Sequence, residues 1–130
     1  MEMKKEESYE QEILGSSRPV FVEFYASWCP KCARMKDAVT RIEEQYEGKI
    51  KVYQIDIDRF ENLALQLQIS AVPTFVIYMG GKPLAAASGV VRKEMLADMV
   101  EDVCREDKDV YKRQHIPSQT CGIPYFLSGK

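Results

Sequence analysis

Trp28-Cys29-Pro30-Lys31-Cys32 holds two cysteines two residues apart, at a point where one kind of sequence gives way to another. Upstream, Pro19-Val20-Phe21-Val22-Glu23-Phe24-Tyr25 is a short, nearly continuous apolar run, which predicts a buried strand. Downstream, Ala33 to Tyr46 predicts an amphipathic helix, with Met35, Val39, Ile42 and Tyr46 at roughly helical spacing. The cysteine pair therefore falls where a strand ends and a helix begins. A helix N-terminus presents unpaired N–H groups and a positive dipole end, both of which favour an anion. A thiolate is such an anion and is the reactive form of cysteine. The placement favours dithiol–disulfide exchange over a structural bridge.

Further elements follow outward from this junction. Ser8 to Leu14 predicts a short helix with Tyr9, Ile13 and Leu14 inward, stopped by Gly15-Ser16-Ser17. Ahead of it, Met1 and Met3 alternate with charge, a weak strand signal. Lys51 to Ile57 alternates Val52, Tyr53, Ile55 and Ile57 among polar residues and predicts a strand. Glu61 to Leu67 predicts a short helix, and Thr74 to Met79 an apolar, β-prone strand. Gly80-Gly81-Lys82-Pro83 predicts a turn, after which Leu84 to Ala87 pairs back as a hairpin strand. Lys93 to Cys104 predicts a last helix with Met95, Leu96, Met99, Val100 and Val103 on one stripe. The first half is a parallel βαβ unit and the second a hairpin plus helix. That order implies an α/β fold with a mixed sheet of about four strands and helices on both faces.

Composition narrows the function. The chain's 130 residues suit one domain with a real core. Hydrophobic content of 45% and charged content of 29% are those of an ordinary globular protein. A formal net charge of −2 gives no reason to expect nucleic-acid binding. No apolar run approaches the ~20 residues of a membrane span. The N-terminus, Met1 to Glu7, lacks the apolar core of a secretory signal, so the expected location is cytoplasmic. In that compartment a catalytic disulfide is expected rather than a persistent structural one.

With order and motif together, the chain resembles thioredoxin. Phe21 to Cys32 is similar to that family's strand and redox loop, and Val52 to Asp58 to its central strand. Ala71-Val72-Pro73-Thr74-Phe75 is similar to the segment that carries its cis-proline. Gly89 sits where the family keeps a glycine facing the active site. The resemblance covers about residues 8–104 and implies a thioredoxin fold whose first strand is weak or missing. It implies an enzyme that reduces protein disulfides through a Cys29–Cys32 dithiol/disulfide cycle. Cys29 would be the exposed attacking thiol and Cys32 the buried resolving thiol. Trp28 would cover one side of the pair, and the backbone of Val72 before cis-Pro73 would pair with an extended substrate peptide. The expected electron donor is a flavoprotein thioredoxin reductase. No bound cofactor is implied beyond the redox-active disulfide, and the chain is expected to act as a monomer.

Four departures from the family pattern mark this chain. Pro30-Lys31 stands between the cysteines in place of Gly-Pro, which would tune the redox potential upward. Glu23 stands in place of a buried aspartate, and Gln54 in place of the lysine beside it. Glu23 lies in an apolar strand, where it is expected to serve Cys32 as proton donor or acceptor. Asp37 replaces a proline in the helix, which implies a straighter helix.

Other readings remain. A zinc half-site would need about four ligands. The remaining candidates are Cys104, His115 and Cys121, two of them in the tail, so no metal is expected. A glutathione-coupled, glutaredoxin-like reductase also uses Cys-Pro-x-Cys. A binding module without turnover would use the Val72-Pro73 groove alone. Cys104 reads as a half-buried hydrophobe. The domain is expected to span 1–107, with 108–130 as a tail. Asp109-Val110-Tyr111-Lys112-Arg113-Gln114 is what GAT GTG TAT AAG AGA CAG would encode, a string that resembles the mosaic end of a transposase-based sequencing adapter. The tail is therefore read as disordered or an assembly artefact, the alternative being a genuine polar tail.

Overall fold

A computed structural model describes residues 2–3 and 8–109 of the chain. Four strands form one mixed sheet in the order β2-β1-β3-β4. They are β1 (Val20–Tyr25), β2 (Lys51–Asp56), β3 (Thr74–Met79) and β4 (Lys82–Ser88). β1 runs parallel to β2 and antiparallel to β3, and β3 is antiparallel to β4. The helices are α1 (Pro30–Gln45), α2 (Glu61–Gln66) and α3 (Lys93–Asp109), and a short π-helical segment spans Tyr9–Leu14. The expected mixed sheet with helices on both faces is present.

The pleat of β1 decides which helix covers which residue. Val20, Val22 and Phe24 pack with Tyr9, Ile13, Tyr53, Leu63, Val76 and Tyr78, beneath the π-helical segment and α2. Phe21 packs on the opposite face with Met35, Val39 and Ile42 of α1 and Leu96, Val100 and Val103 of α3. Side-chain alternation along a strand sends Glu23 and Tyr25 to the same face as Phe21, toward α1. Both faces of β1 are covered, which is why its sequence is a continuous apolar run rather than an alternation. Glu23 is the exception within that run, and it is only 2% exposed.

Several boundaries differ from the sequence reading for local reasons. β4 begins at Lys82 because Gly80 and Gly81 take φ of 63° and 82°, making a two-residue hairpin turn that needs no further loop. Pro83 is tolerated because β4 is an edge strand, beside a register shift at Ile77/Tyr78. α1 starts at Pro30, whose fixed φ and missing N–H suit the first helical position. It runs unbroken past Asp37, which pairs with Arg41 one turn on at 3.1 Å. The weak first strand is reduced to a parallel bridge of Glu2 with Gln54, and the Met3 amide donates to the Gln54 carbonyl at 3.0 Å. α3 continues through Asp109, so the expected junction at 107 falls in its last turn. The tail expectation for 110–130, with His115 and Cys121, lies outside the described residues. Among the described residues, no helix is long and apolar enough to cross a membrane.

Candidate active site

β1 and α1 meet at the redox pair. Cys29 is the N-cap of α1, with extended backbone (φ −93°, ψ 114°), and its sulfur accepts the Cys32 amide at 3.1 Å. A cap normally uses an oxygen for this; here the sulfur occupies the place where the helix end favours negative charge. Both cysteines are free thiols, with exposures of 6% and 7%. The expected contrast between an exposed and a buried cysteine is therefore absent from their exposure. It resides instead in what surrounds each sulfur.

Cys32, one turn into α1, faces a cavity of about 330 Å³ shared with Glu23, Tyr25, Gln54, Lys36 and Glu2. Burial, then the hydrogen bond with Cys29, pushes the Cys32 thiol up to about 12, and the Glu23 charge adds to the rise. Glu23 accepts from the Gln54 amide at 3.0 Å, its register partner on β2. Burial is the largest influence on the Glu23 carboxyl and raises it above the ordinary carboxylate value. The Gln54 hydrogen bond and the Lys36 cation pull it down, and the Glu2 carboxylate raises it further. A carboxyl whose proton affinity burial raises, beside a thiol that resists ionisation, is suited to exchange a proton with it. The cavity is large enough to hold water between them.

The opposite side of the pair is peptide backbone. The Val72–Pro73 bond is cis, as the resemblance implied, and the Cys29 thiol donates to the Val72 carbonyl at 3.7 Å. Val72 and Ile57 pack against the cysteines and Ala26. Gly89 donates its amide to the Pro73 carbonyl at 2.9 Å with φ of 84°, a left-handed conformation that a side chain would strain. Thr74 anchors the same loop by donating its hydroxyl to the Ala71 carbonyl at 2.6 Å. Pro30 and Lys31 occupy the first turn of α1, with Lys31 exposed.

Trp28 is 65% exposed, and its indole N–H donates to Asp58 Oδ2 at 2.7 Å. Asp58 stands just past β2, where its amide donates to the Asp56 carboxylate at 2.9 Å. The sequence alone assigns no role to Asp58, Lys36 or Glu2. Lys36 had a usable signal, since it lies four residues after Cys32 and hence on the same helical face. Glu2 had only the weak alternation around Met3. Among the described residues, no three His, Cys, Asp or Glu side chains are grouped to hold a metal ion.

A cysteine pair at a strand-to-helix junction, facing a cis X–Pro bond and backed by a buried carboxyl, defines a thiol–disulfide oxidoreductase. The family model described as Thioredoxin matches residues 1–102. A thioredoxin of Synechocystis sp. is 38% identical over 94 residues, spanning 72% of this chain and 88% of that protein. Thioredoxin 1 of Nostoc sp. gives the same identity and coverage. Chloroplastic thioredoxin Y1 of Arabidopsis thaliana is 32% identical over 104 residues, 78% of this chain and 60% of that protein. The chain belongs to the thioredoxin family. It is a protein-disulfide reductase of thioredoxin type, acting on disulfides through a CxxC pair.

Proposed function

We propose that Cys29 attacks and Cys32 resolves. The observation that carries this is the asymmetry of the two sulfurs: the Cys29 sulfur caps the helix by accepting the Cys32 amide, while burial and its neighbours hold the Cys32 thiol back from ionising. The Cys29 thiolate attacks one sulfur of a substrate disulfide, that S–S bond breaks, and the first substrate thiol leaves with a proton. Cys32 then gives its proton to Glu23 and attacks the Cys29 sulfur of the mixed disulfide. The second substrate thiol departs, and the Cys29–Cys32 disulfide remains as the oxidised form. Two electrons have passed from the pair to the substrate.

Trp28, Val72, cis-Pro73 and Gly89 form the substrate side in this reading, with an extended peptide running past the Val72 backbone. Pro30 and Lys31 tune the potential, the Lys31 cation favouring the reduced, anionic pair. The flavoprotein thioredoxin reductase is the donor that resets the disulfide, and no other cofactor is bound. The protein works as a cytoplasmic monomer, and its functional unit is 1–107, with the tail dispensable.

Insulin-disulfide reduction with each electron donor tests this. Cys29→Ser should abolish turnover. Cys32→Ser should accumulate a mixed disulfide on Cys29, visible by intact mass. Mild alkylation of the reduced protein should label Cys29 first; preferential labelling of Cys32 would reverse the two roles. Turnover supported by glutathione but not by the flavoprotein would move the chain to the glutaredoxin-like alternative. A Cys29→Ser variant that keeps its full biological effect would identify a binding module.

A further inference from the structure

The cavity behind Cys32 contains more charge than a simple carboxyl–thiol exchange requires. Three elements bring it there. Cys32 and Lys36 lie one turn apart on α1, so they share a helical face, and both line the cavity. Glu23 and Tyr25 lie two apart on β1, so they share a sheet face, and both line it too. Glu2 enters from the N-terminal bridge to β2, where it is held by the Tyr25 hydroxyl, which donates to its Oε2 at 2.5 Å. Gln54 closes the β2 side with its amide on Glu23. Glu23 is nearly inaccessible, Glu2 is half-buried, and Lys36 is exposed. A buried carboxyl thus has a second carboxylate and a cation arranged around one shared volume.

We propose that Glu2 and Lys36 are opposed positioning residues for the redox reaction, setting the charge of Glu23 and hence the pH at which Cys32 can give up its proton. Lys36 favours the Glu23 carboxylate, the form able to accept that proton. Glu2 disfavours it, and Tyr25 holds Glu2 in place to do so. Among the described residues, the remaining titratable or hydrogen-bonding partners facing Glu23 are Gln54, which donates a hydrogen bond without carrying charge, and the Cys29–Cys32 pair itself. The electrostatic influences on Glu23 agree with the geometry: Glu2 acts to raise its proton affinity and Lys36 to lower it. In the resolving step the proton moves from the Cys32 sulfur to a Glu23 oxygen. It then leaves through the cavity to solvent, so Glu23 is regenerated and no co-reactant is needed. The inference rests on the relay reading of Glu23 for its catalytic consequence, though not for its electrostatics.

The test separates those two dependences. The Glu23 side chain is titrated directly by carboxyl carbon-13 NMR in the full chain, reduced, as wild type, Lys36→Met, Glu2→Gln and the double variant. Lys36→Met should move the Glu23 midpoint up and Glu2→Gln should move it down, each by on the order of half a pH unit. The double variant should fall between the two. Raising the salt to about 1 M should shrink the Lys36 effect first, since that cation is exposed. Midpoints that stay put, or move together in one direction, would overturn the proposal. Lys36→Gln and Tyr25→Phe serve as second variants: the former should reproduce Lys36→Met, and the latter should release Glu2 and reproduce part of Glu2→Gln. The resolving rate is then read by single-turnover decay of a Cys29-linked mixed disulfide across pH. Its acidic limb should follow the Glu23 midpoint in each variant and vanish in Glu23→Gln. Shifted midpoints with an unmoved rate profile would refute the relay reading while leaving the opposed charges in place.

Discussion

The layer between β1 and α1 has two ends built on the same two elements, and they differ in chemistry. At one end Phe21 is fully buried among Met35, Val39, Ile42 and Phe75, its ring centroid 5.9 Å from that of Phe75. Two residues further along the same face, Glu23 is just as covered, yet it looks into a cavity with Gln54, Lys36 and Cys32. One end is dry and close-packed; the other buries a carboxyl whose side-chain hydrogen-bond partner among the described residues is the Gln54 amide. The first end holds the helix on the sheet. The second uses the position so secured to keep a carboxyl and a thiol from ionising freely. Burial as such does not distinguish structure from function here. What matters is whether the buried atom has anything to titrate.

The largest effect that would sharpen this contrast belongs to the dry end. Phe21→Ala should cost about 3–5 kcal/mol, from lost transfer energy plus the cavity left behind. The measurement is the urea midpoint with the slope unchanged. A loss under about 1 kcal/mol would mean that α1 is held by something other than this packing.

At the polar end, Glu23→Gln should do the reverse, and by less than the Phe21 loss. The folded Glu23 carboxyl is raised above its ordinary value of 4.5, first by burial. The wild type therefore has its full share of stability from this group at pH below that value. It loses that share as pH rises toward the folded midpoint, because the unfolded chain ionises first. Glutamine keeps the shape and stays neutral. Glu23→Gln should thus match wild type at about pH 4 and become the more stable protein as pH rises to about 8, while its disulfide reduction slows. Urea midpoints of the two proteins at both pH values check this. An advantage that is constant with pH, or that shrinks, would break the comparison.

The smallest effect lies outside both ends. The Trp28–Asp58 hydrogen bond is exposed, so Asp58→Ala, which removes the acceptor, should change stability by less than about 1 kcal/mol. Because Trp28 is the single tryptophan, its fluorescence anisotropy reports the freed indole directly. An anisotropy equal to that of wild type would mean that the indole is held by packing alone. A stability loss well above that figure would place Trp28 with the core instead.

Much of the molecule was legible in the chain itself. β3 keeps the limits that its apolar run predicts, β1 begins one residue inside its run, and α1 begins three residues before its predicted start. These elements could be read because periodicity and punctuation are local: a strand alternates, a helix repeats near every fourth residue, and paired glycines turn. The cysteine pair was legible for the same reason, since its spacing and its junction lie within a dozen residues. The cis bond at Pro73 was reached through resemblance, as nothing in the local sequence demands it.

Other features depend on residues far apart along the chain. Glu2 meets Tyr25 across 23 positions, Trp28 meets Asp58 across 30, and Gln54 meets Glu23 across 31. Strand register fixes the Glu23–Gln54 contact, and β2's place beside β1 brings Asp58 back toward Trp28. The equal coverage of Cys29 and Cys32 likewise depends on Ala26, Ile57 and Val72 arriving from separate segments. The sequence determined the elements, the fold they compose and the identity of the reactive pair, because those follow from local pattern and motif. Only the tertiary structure decided which charges surround Glu23 and how differently the two sulfurs are held. Electrostatic environment is set by distance in space, and that is fixed only once the sheet has chosen its register and α1 has packed across it.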